Sequence, residues 1–204
     1  MSPTADLHEP WPDEYRGRDA YAFGMWIFLA SEALFFGAMF FLYLVLRYQA
    51  PVELDHAAAR TDLLLGGVNT ALLLMASAAI ASSDRLAEAG ARQAARIAVL
   101  AAALLALAFL ALKGLEYSHD IARGYVPGVV GMPGAETRFW SIYWLATGVH
   151  AIHVIIGLAL FVRLLLMSEL PYRLPSLRAT ALYWHLVDIV WIFLFPALYL
   201  AGRG

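Results

Sequence analysis

Five long apolar runs constrain this chain more than any other feature. They lie at about residues 20–46, 63–81, 94–112, 139–167 and 179–201. A hydrocarbon core about 30 Å thick takes roughly 20 residues of helix to cross. The runs are apolar on every side, whereas the helix of a soluble core is apolar along one stripe. In lipid every backbone N–H and C=O must be satisfied within the protein, so segments of this length fold as helices. The expected fold is therefore all-α: a polytopic membrane helix bundle with five transmembrane helices. An N-terminal tail covers residues 1–19, and a single five-helix domain covers residues 20–202.

Composition agrees with this reading. Hydrophobic residues make up 62% and charged residues 15%, against about 25% charged in soluble domains. The net charge is −2 and no basic stripe follows the chain, so nucleic acid is not an expected partner. The absence of cysteine removes disulfides, iron–sulfur clusters and thiolate zinc sites. The N-terminal stretch carries Asp6, Glu9, Asp13 and Glu14 and lacks the pattern of a signal peptide. Apart from Lys113 the basic residues are all arginine, and alanine is abundant, as in GC-rich bacterial genomes.

The segments between the runs read as loops. Those at 48–61 and 82–93 are polar, and 168–177 holds Pro171 and Pro175. The longest, 116–138, holds Pro127, Gly128, Gly131, Pro133 and Gly134, which punctuate it as irregular chain. With the N-terminus inside, the inner segments hold eight basic residues and the outer segments six. That bias places the N-terminus in the cytoplasm and the C-terminus outside. The second and third runs are rich in small residues, among them Gly66, Gly67, Ala71, Ser77 and Ala78. Small residues let helices approach closely in lipid.

Ionisable residues at membrane depth are costly and mark function or a specific contact. Glu32, His150, His153, His185 and Asp188 fall within the runs, and Lys113 and Glu116 near a helix end within reach of the interface. Glu32 sits among Phe and Leu. Either it is a proton-active or lipid-contacting carboxyl group, or it is a neutral acid hydrogen-bonded to a neighbouring helix. His150 and His153 are three apart and share a helix face, as do His185 and Asp188. In the latter pair the carboxylate is placed to fix the imidazole tautomer. Haem or metal ligation is one reading of the histidines. An interhelical hydrogen-bond network is the better supported one, because membrane helices commonly associate through such bonds. A metal site wants three or four convergent ligands, so none is expected here. Trp140, Tyr143, Trp144, Tyr183 and Trp184 read as interfacial belts. Asn69 and Thr70 are placed to bond across helices, and Pro196 to bend the last helix.

The buried polar residues sit in runs that resemble a known family. Tyr183-Trp184-His185-Leu186-Val187-Asp188-Ile189-Val190-Trp191 is similar to a signature of subunit III of haem-copper oxidases, both cytochrome c and quinol oxidases. So is the stretch from Thr147 to Gly157, with His150 and His153. Ser31-Glu32 with Phe35-Phe36 resembles the family's buried-carboxylate helix, and Asn69-Thr70 and Glu116-Tyr117 also match. The motifs occur in family order from about Tyr21 to Tyr199.

The resemblance implies a non-catalytic subunit, with no catalytic residue and no metal in this chain. Haem and copper would lie in partner subunits. The chain would pack on subunit I, beside subunit II and a small subunit IV, in a bacterial inner membrane. It would bind phospholipid and support proton uptake during oxygen reduction. Glu32 corresponds to the family's buried carboxylate. His150, His153, His185, Asp188 and Glu116 then form a structural polar network. Trp26, Phe35 and Arg163 are the candidates for lipid contact. A family arginine near the end of the fourth helix is replaced by Met167, with Arg163 about one turn earlier. The longer family form has seven helices, and its first two have no counterpart here. The alternative is a related accessory subunit of a nitric oxide reductase.

Overall fold

The computed structural model describes residues 14–128, 134–167 and 174–203. The tail through Asp13, the segment 129–133 and the loop 168–173 lie outside the described residues. The described residues are helical, without a strand: α1 (Glu14–Gln49), α2 (Pro51–Ala58), α3 (Leu63–Glu88), α4 (Arg92–Ala122), α5 (Gly134–Leu166) and α6 (Leu174–Phe195). A π-helical turn, Pro196–Leu200, continues α6. Five of these helices are long and apolar enough to cross a membrane.

The helices outrun the apolar runs from which they were expected. α3 reaches Glu88 and α4 reaches Ala122, so much of the expected loops at 82–93 and 116–138 is helix. The expected loop at 48–61 contains α2, which opens with Pro51 in its first turn, where proline's missing N–H costs nothing. Apolar runs locate the hydrocarbon, whereas backbone hydrogen bonding carries a helix on through polar residues at its ends. Asp62 starts α3 by accepting from the Leu65 N–H at 3.0 Å, an N-cap. Gly90, at φ +75°, turns the chain between α3 and α4 in a conformation that favours glycine.

Successive long helices run antiparallel. At the end where α1 begins (here the N-face), Arg178 of α6 pairs with Glu88 and Asp84 of α3. There also Arg96 of α4 donates to the Leu165 carbonyl of α5 at 2.9 Å. At the opposite C-face, Arg60 pairs with Glu136 through two hydrogen bonds of 2.8 and 3.0 Å. α3 and α4 form the most extensive pairing. Their buried faces include small residues: Gly66, Ala76, Ser83 and Ala87 on one side, Ala95, Ala102, Ala103 and Ala106 on the other. Glycines do the same for α6. A Cβ at Gly157 would lie 2.7 Å from the Trp184 ring, and one at Gly66 would lie 2.7 Å from Tyr199.

α1 is the peripheral helix. Only 11% of its apolar window is buried inside the chain, against 50% for the last span. It leans on α5 and α6. Near the C-face, Tyr43 donates to the Ala197 carbonyl, an acceptor in the last turn that a helix cannot satisfy itself. Arg47 then bonds Tyr43 at 3.2 Å and pairs with Asp55 of α2 at 3.0 Å.

The aromatic residues expected as belts are mostly interior. Trp140, Tyr143 and Trp184 are fully buried and Tyr183 nearly so, while Trp144 is half-buried. These rings pack between helices, Tyr143 beside Tyr199 and Trp184 beside Phe161. Position near a helix end does not separate a ring facing lipid from one facing a neighbouring helix.

Candidate functional site

The polar residues of the spans gather into three groups. The first joins α1 to α5. Glu32 Oε2 lies 3.0 Å from His153 Nε2. The other ring nitrogen, Nδ1, lies 2.9 Å from the Val149 carbonyl. A carbonyl only accepts, so Nδ1 carries a hydrogen. Nε2 then either accepts from a protonated Glu32 or, as imidazolium, donates to the carboxylate. In both cases one proton lies on the line between Glu32 and His153. The pair is half-buried, at 20% and 14% side-chain exposure. The Phe36 ring meets the imidazole edge-on, with centroids 5.2 Å apart. The Tyr183 hydroxyl donates to the His153 carbonyl at 3.0 Å, tying α6 to the same point.

The second group lies in the interior near the C-face. Lys113, Glu116 and Asp120 share one face of α4 at spacings of three and four, and all three are buried. The Lys113 ammonium donates to Glu116 Oε2 at 3.0 Å, to Tyr143 Oη at 3.1 Å and also to Tyr199 Oη. Tyr199 donates to Glu116 Oε1 at 2.6 Å. Tyr143 Oη stands 2.8 Å from Glu116 Oε1 and 3.0 Å from Asp120 Oδ2. Having one hydrogen, it donates to one carboxyl at a time. The other contact closes when that carboxyl is itself protonated and donates back. One ammonium, one carboxylate and one neutral acid also leave the group electrically neutral, which a low-dielectric interior favours. The rings of Tyr117, Tyr143, Trp191 and Tyr199 surround the ammonium at 4.7 to 5.6 Å, within cation–π range.

The third group joins α3 to α6. Ser77 Oγ lies 2.7 Å from His185 Nδ1; Asp188, three residues on from His185, is buried beside them. Farther toward the C-face, Trp191 Nε1 donates to Thr70 Oγ1 at 3.0 Å. His150 is fully buried beside the rings of Trp191 and Phe109, at 5.0 and 5.7 Å.

Several expectations change here. Lys113 and Glu116 do not reach the interface, because α4 continues to Ala122 and turns them into the bundle. His185 and Asp188 do not fix each other directly, because His185 Nδ1 turns to Ser77. His150 and His153 share a helix but part company: His150 enters the interior, and His153 turns to α1. Thr70 does bond across helices, whereas the Asn69 side chain is buried with no protein partner among the described residues. The three histidines thus face three different neighbours. Trp26 and Phe35 are exposed on α1, and Arg163 is exposed on α5. Sequence reasoning missed Asp120, Tyr199 and Ser77. The repeat Lys113, Glu116, Asp120 was the available signal for the first.

Comparison with known proteins places this arrangement. The family model described as cytochrome c oxidase subunit III matches residues 15–203. The chain belongs to the cytochrome c oxidase subunit III family. A probable cytochrome c oxidase subunit 3 from Nocardia farcinica is 32% identical over 180 residues, 86% of this chain and 85% of that one. Cytochrome c oxidase subunit 3 from Synechocystis is 32% identical over 214 residues, 97% and 84% of the two chains. A probable quinol oxidase subunit 3 from Staphylococcus haemolyticus is 29% identical over 187 residues, 88% of each. As a subunit III family member with five apolar spans, the chain is a multi-pass membrane protein. Its family implies association with other oxidase subunits. The match includes all three polar groups.

Proposed function

We propose that this chain is the non-catalytic third subunit of a haem-copper respiratory oxidase in a bacterial inner membrane. In this reading it packs on subunit I, beside subunit II and a small subunit IV, and the haem and copper lie in partner subunits. It stabilises the assembly, holds phospholipid and supports proton uptake.

The Glu32–His153 bond of 3.0 Å carries the proton part of this reading. It is a proton-sharing pair on α1, the helix that the rest of the chain covers least. A half-buried pair at such an edge is completed by whatever packs there, a partner subunit or a lipid. Intramembrane ionisable pairs commonly mark proton pathways. The exposed Trp26 and Phe35 on α1 and the exposed Arg163 on α5 are the proposed lipid contacts. For orientation, Lys113 leaves the outer tally because it is buried inside the bundle. Eight basic residues then stand inside against five outside, which strengthens the placement of the N-terminus in the cytoplasm.

The test is Glu32→Gln in the assembled complex. Glutamine can still donate to His153, but an amide cannot give up that proton as a carboxyl group does. Assembly and initial rate are expected to hold while activity is lost faster during turnover. An unchanged turnover lifetime would remove Glu32 from proton uptake.

A further inference from the structure

We propose that α3 and α6 enclose a water-filled crevice that opens at the N-face and delivers water and protons as far as Asp188. An open cleft of about 320 Å³ lies between these helices, wide enough to admit several waters. Asp84, Arg85 and Arg178 line it, as do the small residues Ala81 and Ala181, and the His185 imidazole reaches it. Small side chains keep the helices from closing over it.

The polar groups at and behind its inner end call for water. His185 Nδ1 is bonded to Ser77 at 2.7 Å, and Asp188 follows His185 by three residues on the same face of α6. Asp188 is buried, and its Oδ1 has no protein hydrogen-bond partner among the described residues. Along α6, ten residues separate Arg178 from Asp188, about 15 Å at the helical rise. That is about halfway through the hydrocarbon. A carboxyl oxygen left dry at that depth is expensive, and buried polar groups that lack a protein partner are normally served by water. An acyl chain in the same space would leave Asp188 and His185 unsolvated. The facing charges are Asp84, Arg85, Glu88 and Arg178. Arg178 is engaged by Asp84 at 3.4 Å and by Glu88.

The crevice is closed beyond Asp188. The Trp191 ring lies against Phe109, with centroids 5.0 Å apart. Lys113 follows, its ammonium 5.6 Å from the Trp191 ring. With these rings packed together the path ends blind. The inference goes beyond the oxidase reading and does not depend on it.

The chain has no cysteine, so single cysteines report on it cleanly. Ala81→Cys, Ser77→Cys and Ala76→Cys would be placed in the complex in permeabilised native membranes. A charged, water-soluble methanethiosulfonate would be applied, and labelling of this chain read by mass spectrometry. Ala81 lies at the mouth, Ser77 at the relay, and Ala76 is fully buried on the same helix. Only a hydrated thiol ionises and reacts, so Ala81→Cys and Ser77→Cys are expected to label on the order of tenfold faster than Ala76→Cys. Ser77→Cys is nearly isosteric. Should it nevertheless fail to assemble, His185→Cys, the bonding partner of Ser77 one turn from Asp188, takes its place. Labelling at the mouth but not at the relay would overturn the proposal. So would no labelling at either position, as with a lipid or a partner subunit filling the space, or equal labelling at Ala76.

Discussion

Lys113 Nζ lies 3.0 Å from Glu116 Oε2, and the two side chains are 2% and 1% exposed. A buried ion pair of this kind is weak evidence for net stability, but breaking it is costly, because one charge is left unpaired. Lys113→Met leaves Glu116 and Asp120 without their cation. It is expected to destabilise the chain by about 3–5 kcal/mol, read as a lower midpoint in thermal unfolding of the detergent-solubilised complex. Lys113→Met combined with Glu116→Met is expected to recover part of that loss. Additive losses would show that the two residues do not act as a pair.

Gly157 and Gly148 lie on the same helix and should respond differently. A Cβ at Gly157 meets the Trp184 ring at 2.7 Å, whereas one at Gly148 finds only Tyr117 Oη at 3.9 Å. Gly157→Ala should force α5 and α6 apart and cost about 1–3 kcal/mol. Gly148→Ala should be neutral or slightly stabilising, since alanine favours helix. Thermal unfolding of both variants separates the cases, and equal effects would deny the close approach.

Glu32 and His153 share one proton and should fail as one unit. His153→Gln is expected to reproduce the shortened turnover lifetime of Glu32→Gln, and the double variant to be no worse than either alone. Residues in one network show such non-additivity. Lifetimes that multiply would mean that the residues act separately.

Tyr43 anchors the C-face end of the peripheral helix by donating to the Ala197 carbonyl. Tyr43→Phe keeps the ring and removes that donor, at a cost of about 1 kcal/mol. The expected readout is faster tryptic cleavage after Arg47 in the last turn of α1, with the interior bundle unaffected. Cleavage at the parent rate would show that α1 is held by other contacts.

The five spans were legible in the sequence because lipid leaves a long apolar run few alternatives to helix. The ends were not. Lys113, Glu116 and Asp120 look like a chain leaving the membrane, yet α4 folds them inward, where Tyr143 and Tyr199 satisfy them. Whether a polar residue near a helix end meets water or a neighbouring helix is decided by packing, and a single run of sequence does not carry it. The Glu32 and His153 positions stood out as intramembrane ionisable residues, but their pairing across 121 residues was invisible without the fold. Ser77 read only as a small residue, and its bond to His185 depends on how α3 and α6 face each other. Trp184 read as a belt residue because nothing in its neighbourhood shows that Gly157 makes a place for it.

The oxidase assignment is tested most directly by affinity purification through a C-terminal tag from native membranes in mild detergent, with a visible spectrum and mass spectrometry of the co-purified chains. The oxidase reading predicts haem bands together with oxidase subunits I and II. Recovery with nitric oxide reductase subunits, or of this chain alone without haem, would contradict it.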